Sequence, residues 1–115
     1  LQLVGNGLIT NEQTLQENPE LVRGMVAALL KGIQDTIADP EAAYTICGKY
    51  IETLANADQA VQKQVLASSI ELWKTDQYGK TDPQAWENMQ NLLLDMQMIE
   101  TPLDLSQAYN QSFVP

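Results

Sequence analysis

Carboxylates make up most of the side chains in this sequence that could do chemistry. The chain has 115 residues, with fifteen acidic side chains, one cysteine and no histidine. Without imidazole, no residue can act as a histidine base, and Cys47 lacks the usual partner of a cysteine nucleophile. Paired carboxylates would allow acid–base chemistry, but Asp and Glu are scattered over polar helix faces and cap positions. The sequence therefore predicts no catalytic residues and no enzyme activity.

Two short segments resemble ion-binding loops in composition. The loop Asp76–Asp82 combines oxygen ligands with a glycine, yet it lacks the alternating acidic positions and terminal glutamate of an EF-hand. Asp82 directly precedes Pro83 and is better explained as a helix cap. The segment Gly5-Asn6-Gly7 has no following lysine, so it indicates a turn and not a phosphate loop. We expect no metal and no cofactor.

Composition and charge exclude other classes of function. A net charge of −9 repels phosphate backbones, which argues against nucleic-acid binding, and no stretch is long and apolar enough to span a membrane. Cys47 lies on an apolar helical stripe, which favours a small buried side chain over a reactive thiol. Because the chain begins at Leu1 and not at methionine, we expect a processed or trimmed protein or a piece of a longer one.

Five aromatic side chains could line a pocket for a flat ligand: Trp73, Trp86, Tyr78, Tyr109 and Phe113. At helical spacing, aromatic residues more often anchor a core, and this interpretation is favoured for both tryptophans.

The elements that position these residues are predicted to be helices. Three dipeptides, Asn18-Pro19, Asp39-Pro40 and Asp82-Pro83, each place a side-chain acceptor before a proline, which is typical of a helix start. Apolar periodicity and caps predict five helices and a last short one. They run from a capping box at Thr10–Gln13 to about Glu17, from Pro19 to about Ala38, from Pro40 to about Leu54, from a cap at Asn56 or Asp58 to about Trp73, from Pro83 to about Met98, and from Asp104 onward.

The predicted fold class is mainly α, with about five helices and a short N-terminal strand. Residues 1–10 are predicted to form a strand and turn, 11–109 a helical region and 110–115 a tail. A single strand needs a partner, and the broad apolar stripe of the second helix, from Leu21 to Ile37, needs cover. Both features predict packing against a β-sheet that this sequence does not contain.

The order of these elements resembles one family of proteins. Nine short motifs carry the resemblance: Gly5–Thr10, Asn18-Pro19-Glu20-Leu21-Val22, Gly32, Asp39–Ala43, Leu72-Trp73, Asp82-Pro83, Trp86, Met98-Ile99 and Asn110–Pro115. In order and spacing they are similar to the C-terminal part of ABC-transporter solute-binding proteins of the NMT1/THI5-like branch. That branch includes receptors for pyrimidine precursors of thiamine and for nitrate, sulfonates and taurine. Gln97 stands where relatives often have a helix-ending glycine, which argues against a left-handed cap there.

The resemblance implies a fragment of a two-lobe α/β periplasmic-binding-protein type II fold. Such a receptor is periplasmic or otherwise extracytoplasmic and hands a small molecule to an ABC permease, and it catalyses nothing. Its ligand-contacting residues lie mostly upstream, so no ligand-binding residue is assigned here. The Trp73 region, Tyr78-Gly79 and the 110–115 ending favour a pyrimidine precursor as the ligand.

A second interpretation is a free-standing α-helical protein-interaction module, in which the helices cover one another and residues 1–9 form an arm. It predicts a stable monomer or symmetric dimer without a small-molecule ligand. A receptor fragment, in contrast, is expected to self-associate or to bind hydrophobic dyes.

Overall fold

The computed structural model describes all residues, 1–115, and it is mainly helical. Five α-helices run along the chain: α1 (Glu12–Glu17), α2 (Pro19–Ala38), α3 (Pro40–Cys47), α4 (Gln59–Trp73) and α5 (Pro83–Asp95). Two short 3₁₀ helices, Glu52–Asn56 and Leu105–Gln107, lie in the connections. The predicted helical class and the number of helices are therefore confirmed, whereas the two-lobe α/β fold stays a prediction.

The predicted N-terminal strand is wrong. Residues 1–10 have no regular structure, and neither the strand nor the turn at Gly5–Gly7 forms. A strand is stabilised by hydrogen bonds to a neighbouring strand, and the chain forms no other strand. Asn88 in α5 instead donates a side-chain hydrogen bond of 2.9 Å to the carbonyl of Gln2.

The aspartates of two Asp-Pro pairs begin helices as predicted. Asp39 accepts a hydrogen bond from the backbone N–H of Ala42, and Asp82 accepts one from that of Gln84. Asp58 caps α4 by accepting from two backbone N–H groups. Asn18 differs, because its carbonyl and not its side chain accepts from the first turn of α2.

The cap of α1 lies one residue later than predicted. Asn11, not Thr10, is the N-cap, and its side chain accepts a 2.8 Å hydrogen bond from the backbone N–H of Thr14. Gln13 then points along the helix, where its amide donates to the carboxylate of Glu17.

The third helix is shorter than predicted, since α3 ends at Cys47 and not near Leu54. The N–H groups of Lys49 and Tyr50 donate to carbonyls three residues back and form a turn, and Ile51 is extended. Glycine has a low helix propensity, which explains why the helix stops there although the apolar spacing continues. As a result Cys47 lies exposed at the helix end, and the prediction of a buried thiol is wrong.

The fifth helix ends at Asp95, three residues before the predicted end, through a left-handed residue. Gln97 has φ 57°, so the argument against a left-handed cap at this position is also wrong. The N–H of Met98 donates to the carbonyl of Leu93, and that of Gln97 donates to the carbonyl of Leu94. These two bonds form a Schellman motif, which satisfies helix-end carbonyls without a glycine.

The chain divides into two compact units. The first unit comprises Leu1–Ala27 and Gly79–Pro115, and the second comprises Ala28–Tyr78. Two side chains are buried: Ala85 in the first unit, 3% exposed, and Ile70 in the second, 5% exposed. Few apolar side chains are therefore withdrawn from water within this chain.

Candidate functional site

An open groove lies in the second unit, where α3 ends and α4 begins. Its volume is about 390 Å³, and its lining consists of Tyr44, Thr45, Gly48, Leu54, Ala55, Ala57 and Gln59. The break in α3 at Gly48 creates the groove, because it turns the chain through the 3₁₀ helix before Asp58 caps α4. The groove thus depends on a helix end that the apolar periodicity did not predict.

The groove offers an aromatic ring, small apolar side chains and one amide. The Thr45 hydroxyl already donates to the carbonyl of Glu41 at 2.9 Å, which leaves the Tyr44 and Gln59 side chains as its polar groups. No lining residue carries a charge. Such a surface suits a weakly polar molecule better than an anion.

A lysine connects the two helices beside the groove. The Nζ atom of Lys63 in α4 lies 5.4 Å from the centroid of the Tyr44 ring and 2.5 Å from a carboxylate oxygen of Glu41 in α3. The carboxylate is largely exposed, so this ion pair contributes little to stability.

An aromatic cluster lies in the first unit. The rings of Trp86 and Tyr109 stack with centroids 4.9 Å apart, and Trp86 Nε1 donates to the hydroxyl oxygen of Thr81 at 2.9 Å. The guanidinium carbon of Arg23 lies 5.1 Å from the centroid of the Phe113 ring. Trp86 is half-buried and packs within this cluster, as expected of a core anchor. Trp73 in α4 is 40% exposed and does not anchor a core, so the same expectation is wrong for Trp73.

The first part of α2 presents an exposed apolar face. Leu21, Met25 and Leu29 follow one another at four-residue spacing and are all exposed. A Cβ atom added at Gly24 or Gly32 would meet nothing within 4 Å, so neither glycine serves a close contact within this chain. Exposed apolar patches of this kind are typical of surfaces that pack against another protein segment.

The carboxylates occupy caps and the solvated surface. Asp82, in the loop that resembled a calcium site, caps α5 as described above. Hydrogen bonds from the hydroxyl and then the backbone N–H of Ser106 hold the pKa of Asp104 below its usual value. No three His, Cys, Asp or Glu side chains are grouped so that they could hold a metal ion. None of the helices has the length and apolarity needed to cross a membrane.

Comparison with known proteins confirms the predicted family resemblance. The family model described as NMT1/THI5 like matches residues 2–43, which include α1, α2 and the start of α3. The chain is therefore similar to that family of solute-binding proteins.

The riboflavin-binding protein RibY of Chloroflexus aurantiacus is 36% identical to the chain over 118 aligned positions. The alignment covers 98% of this chain but only 34% of that relative, so the chain spans about a third of its length. No solved structure gives a significant match.

Proposed function

We propose that this chain is part of an extracytoplasmic solute-binding receptor that delivers a small molecule to an ABC importer. The observation that carries the proposal is the 36% identity, along 98% of the chain, to a protein named for binding riboflavin. In this proposal the whole receptor binds and releases its ligand without converting it. Its partner is a membrane permease, and the segment described here supplies helices that pack against the rest of the receptor.

Riboflavin is the first ligand to test. The motifs near Trp73 and at 110–115 favoured a pyrimidine precursor of thiamine, but they are short, whereas the identity to the riboflavin-binding relative extends over almost the whole chain. Both ligands contain a flat nitrogen heterocycle, which aromatic side chains bind by stacking. Nitrate, sulfonates and taurine lack such a ring and form the contrasting ligand class.

The exposed apolar face of α2 supports a role inside a larger assembly. Side chains such as Leu21 and Met25 are solvated here, at 66% and 61% exposure, and each gains free energy when another segment covers it. The same face would also suit the alternative, a helical protein-interaction module, because an apolar helix face can dock on a separate protein. Ligand binding distinguishes the two, since only the receptor needs a small-molecule ligand.

The test is a titration of the complete natural polypeptide that contains this chain. Riboflavin fluorescence is followed as protein is added, and calorimetry repeats the titration with a thiamine pyrimidine precursor and with taurine. The proposal predicts saturable one-to-one binding of riboflavin, quenched fluorescence, and no binding of taurine. Binding of the pyrimidine alone would retain the receptor and replace the ligand. A folded polypeptide that binds none of the three would contradict the proposal.

Substitution of the tryptophans tests whether this segment contributes to ligand binding or only to stability. Trp86→Phe keeps a ring against Tyr109 but removes the hydrogen bond to Thr81, and we expect lower stability with unchanged ligand affinity. Trp73→Phe is the matched variant at an exposed position. A folded Trp73→Phe protein with weakened riboflavin binding would place Trp73 at the ligand.

A further inference from the structure

Two of the helical parts of the first unit make at most slight direct contact with each other. These parts are the first half of α2, up to Ala27, and α5. The one pair of helices in the chain with more than slight direct contact is α3 and α4, which belongs to the second unit. Something other than helix packing must therefore hold the first unit together.

The segment Tyr109–Pro115 makes contacts with both parts. Toward α2, the Arg23 guanidinium lies over the Phe113 ring and donates a 3.2 Å hydrogen bond to the carbonyl of Ser112. Toward α5, Tyr109 stacks on Trp86. Within the same segment, the Gln111 amide donates at 3.2 Å to the carbonyl of Thr81, just before α5 begins.

Thr81 joins these contacts into one network. Its hydroxyl oxygen accepts from the Trp86 indole while its carbonyl accepts from Gln111, so the position of the segment and the orientation of the indole depend on the same residue. Both hydrogen bonds are partly buried, which strengthens them relative to bonds in water. Loss of a contact at one end of the segment can therefore weaken the contacts at the other end.

We infer that Tyr109–Pro115 is a strap that links α2 to α5 and fixes the indole of Trp86. The strap binds α2 through a single arginine and α5 through an aromatic stack and a shared threonine. It opens locally, without unfolding of the α3–α4 pair, because its contacts are few and at most partly buried. This inference does not depend on the identity of any ligand.

The experiment is hydrogen exchange on the complete natural polypeptide carrying Arg23→Gln. The readouts are the indole N–H of Trp86 and the backbone amides of α2 near Arg23. Lys31→Gln is the matched control, since Lys31 is an exposed cation of the same helix that pairs with Asp35 and not with the strap. The strap predicts that Arg23→Gln speeds exchange of the Trp86 indole on the order of fivefold and that Lys31→Gln leaves it unchanged.

A second variant distinguishes loss of the contact between the strap and α2 from loss of the Arg23 charge. Phe113→Leu keeps an apolar side chain but removes the ring face under Arg23, and it is expected to speed the same indole exchange. Unchanged exchange at Tyr44 and Val65, in the α3–α4 pair, verifies that each variant remains folded. If the indole exchanges in Arg23→Gln and Phe113→Leu as it does in Lys31→Gln, the two ends are independent and the inference is overturned.

Discussion

The two units of the chain hold their helices together by different means. In Ala28–Tyr78, α3 and α4 follow closely in sequence, pack directly, and are joined by Lys63 and Glu41. In the unit formed by Leu1–Ala27 and Gly79–Pro115, long-range side-chain contacts hold the helices together. One of them joins Arg23 and Ser112, which are 89 positions apart. Contacts between distant positions require closure of a long loop, which costs conformational entropy.

The two units therefore differ in whether their packing depends on residues close in sequence or on residues far apart in sequence. The second unit contains a local helix pair, with the buried Ile70 on α4. The first unit depends on single residues such as Thr81, each of which serves several contacts. Substitutions should therefore act through buried apolar volume in the second unit and through hydrogen-bond partners in the first.

The largest effect is expected from Ile70→Ala in the second unit. Ile70 is 5% exposed, and removal of its side chain leaves a cavity that should lower the free energy of opening of α4 by about 2–4 kcal/mol. Native-state hydrogen exchange of α4 amides measures this change. Leu72→Ala, two positions away at 86% exposure, is the control and should cost less than about 0.5 kcal/mol. Equal costs at both positions would show that Ile70 is not a core residue.

A smaller effect is expected from Thr81→Val in the first unit. Valine has nearly the shape of threonine but leaves the half-buried indole N–H of Trp86 without its acceptor, which costs about 1–2 kcal/mol. The measurement is hydrogen exchange of α5 amides. Thr10→Val, at an exposed threonine, is the matched control. An α5 that opens no more readily in Thr81→Val than in Thr10→Val would rule out this dependence.

The smallest effect is a gain in stability from Gln97→Gly at the end of α5. Glycine adopts φ near 57° without the strain that a Cβ atom causes, and the substitution should stabilise the helix end by about 0.5–1 kcal/mol. Hydrogen exchange at the amide of Met98, which donates to Leu93, reports the change. Gln97→Ala retains the Cβ atom and is expected to give no such gain; a gain of equal size in Gln97→Ala would refute the role of φ.

Local signals were predictable from the sequence. The Asx-Pro dipeptides set the starts of α2, α3 and α5, and the side chains of Asp39 and Asp82 cap as expected because an N-cap involves only residues two or three apart. Helix ends were less predictable. The apolar stripe continued past Gly48 and past Asp95, and it contained no information about the turn or the left-handed residue that ends each helix.

Features that depend on distant residues were not predictable. The strand expected in residues 1–10 needs a partner, and the strap at 109–115 arises from contacts that no periodicity encodes. The groove beside Tyr44 is local, but it depends on the helix end that the periodicity did not predict. The family, in contrast, was recognised correctly, because the order of its motifs extends over nearly the whole chain. The predicted absence of a catalytic site remains a prediction.

The most direct test of the receptor proposal is to sequence the coding region upstream of the codon for Leu1. The proposal predicts an export signal followed by alternating strand and helix patterns, which would supply the rest of a two-lobe receptor and the cover for the apolar face of α2. A start codon immediately before Leu1 would contradict it. The helical interaction module would then be the better account of this chain.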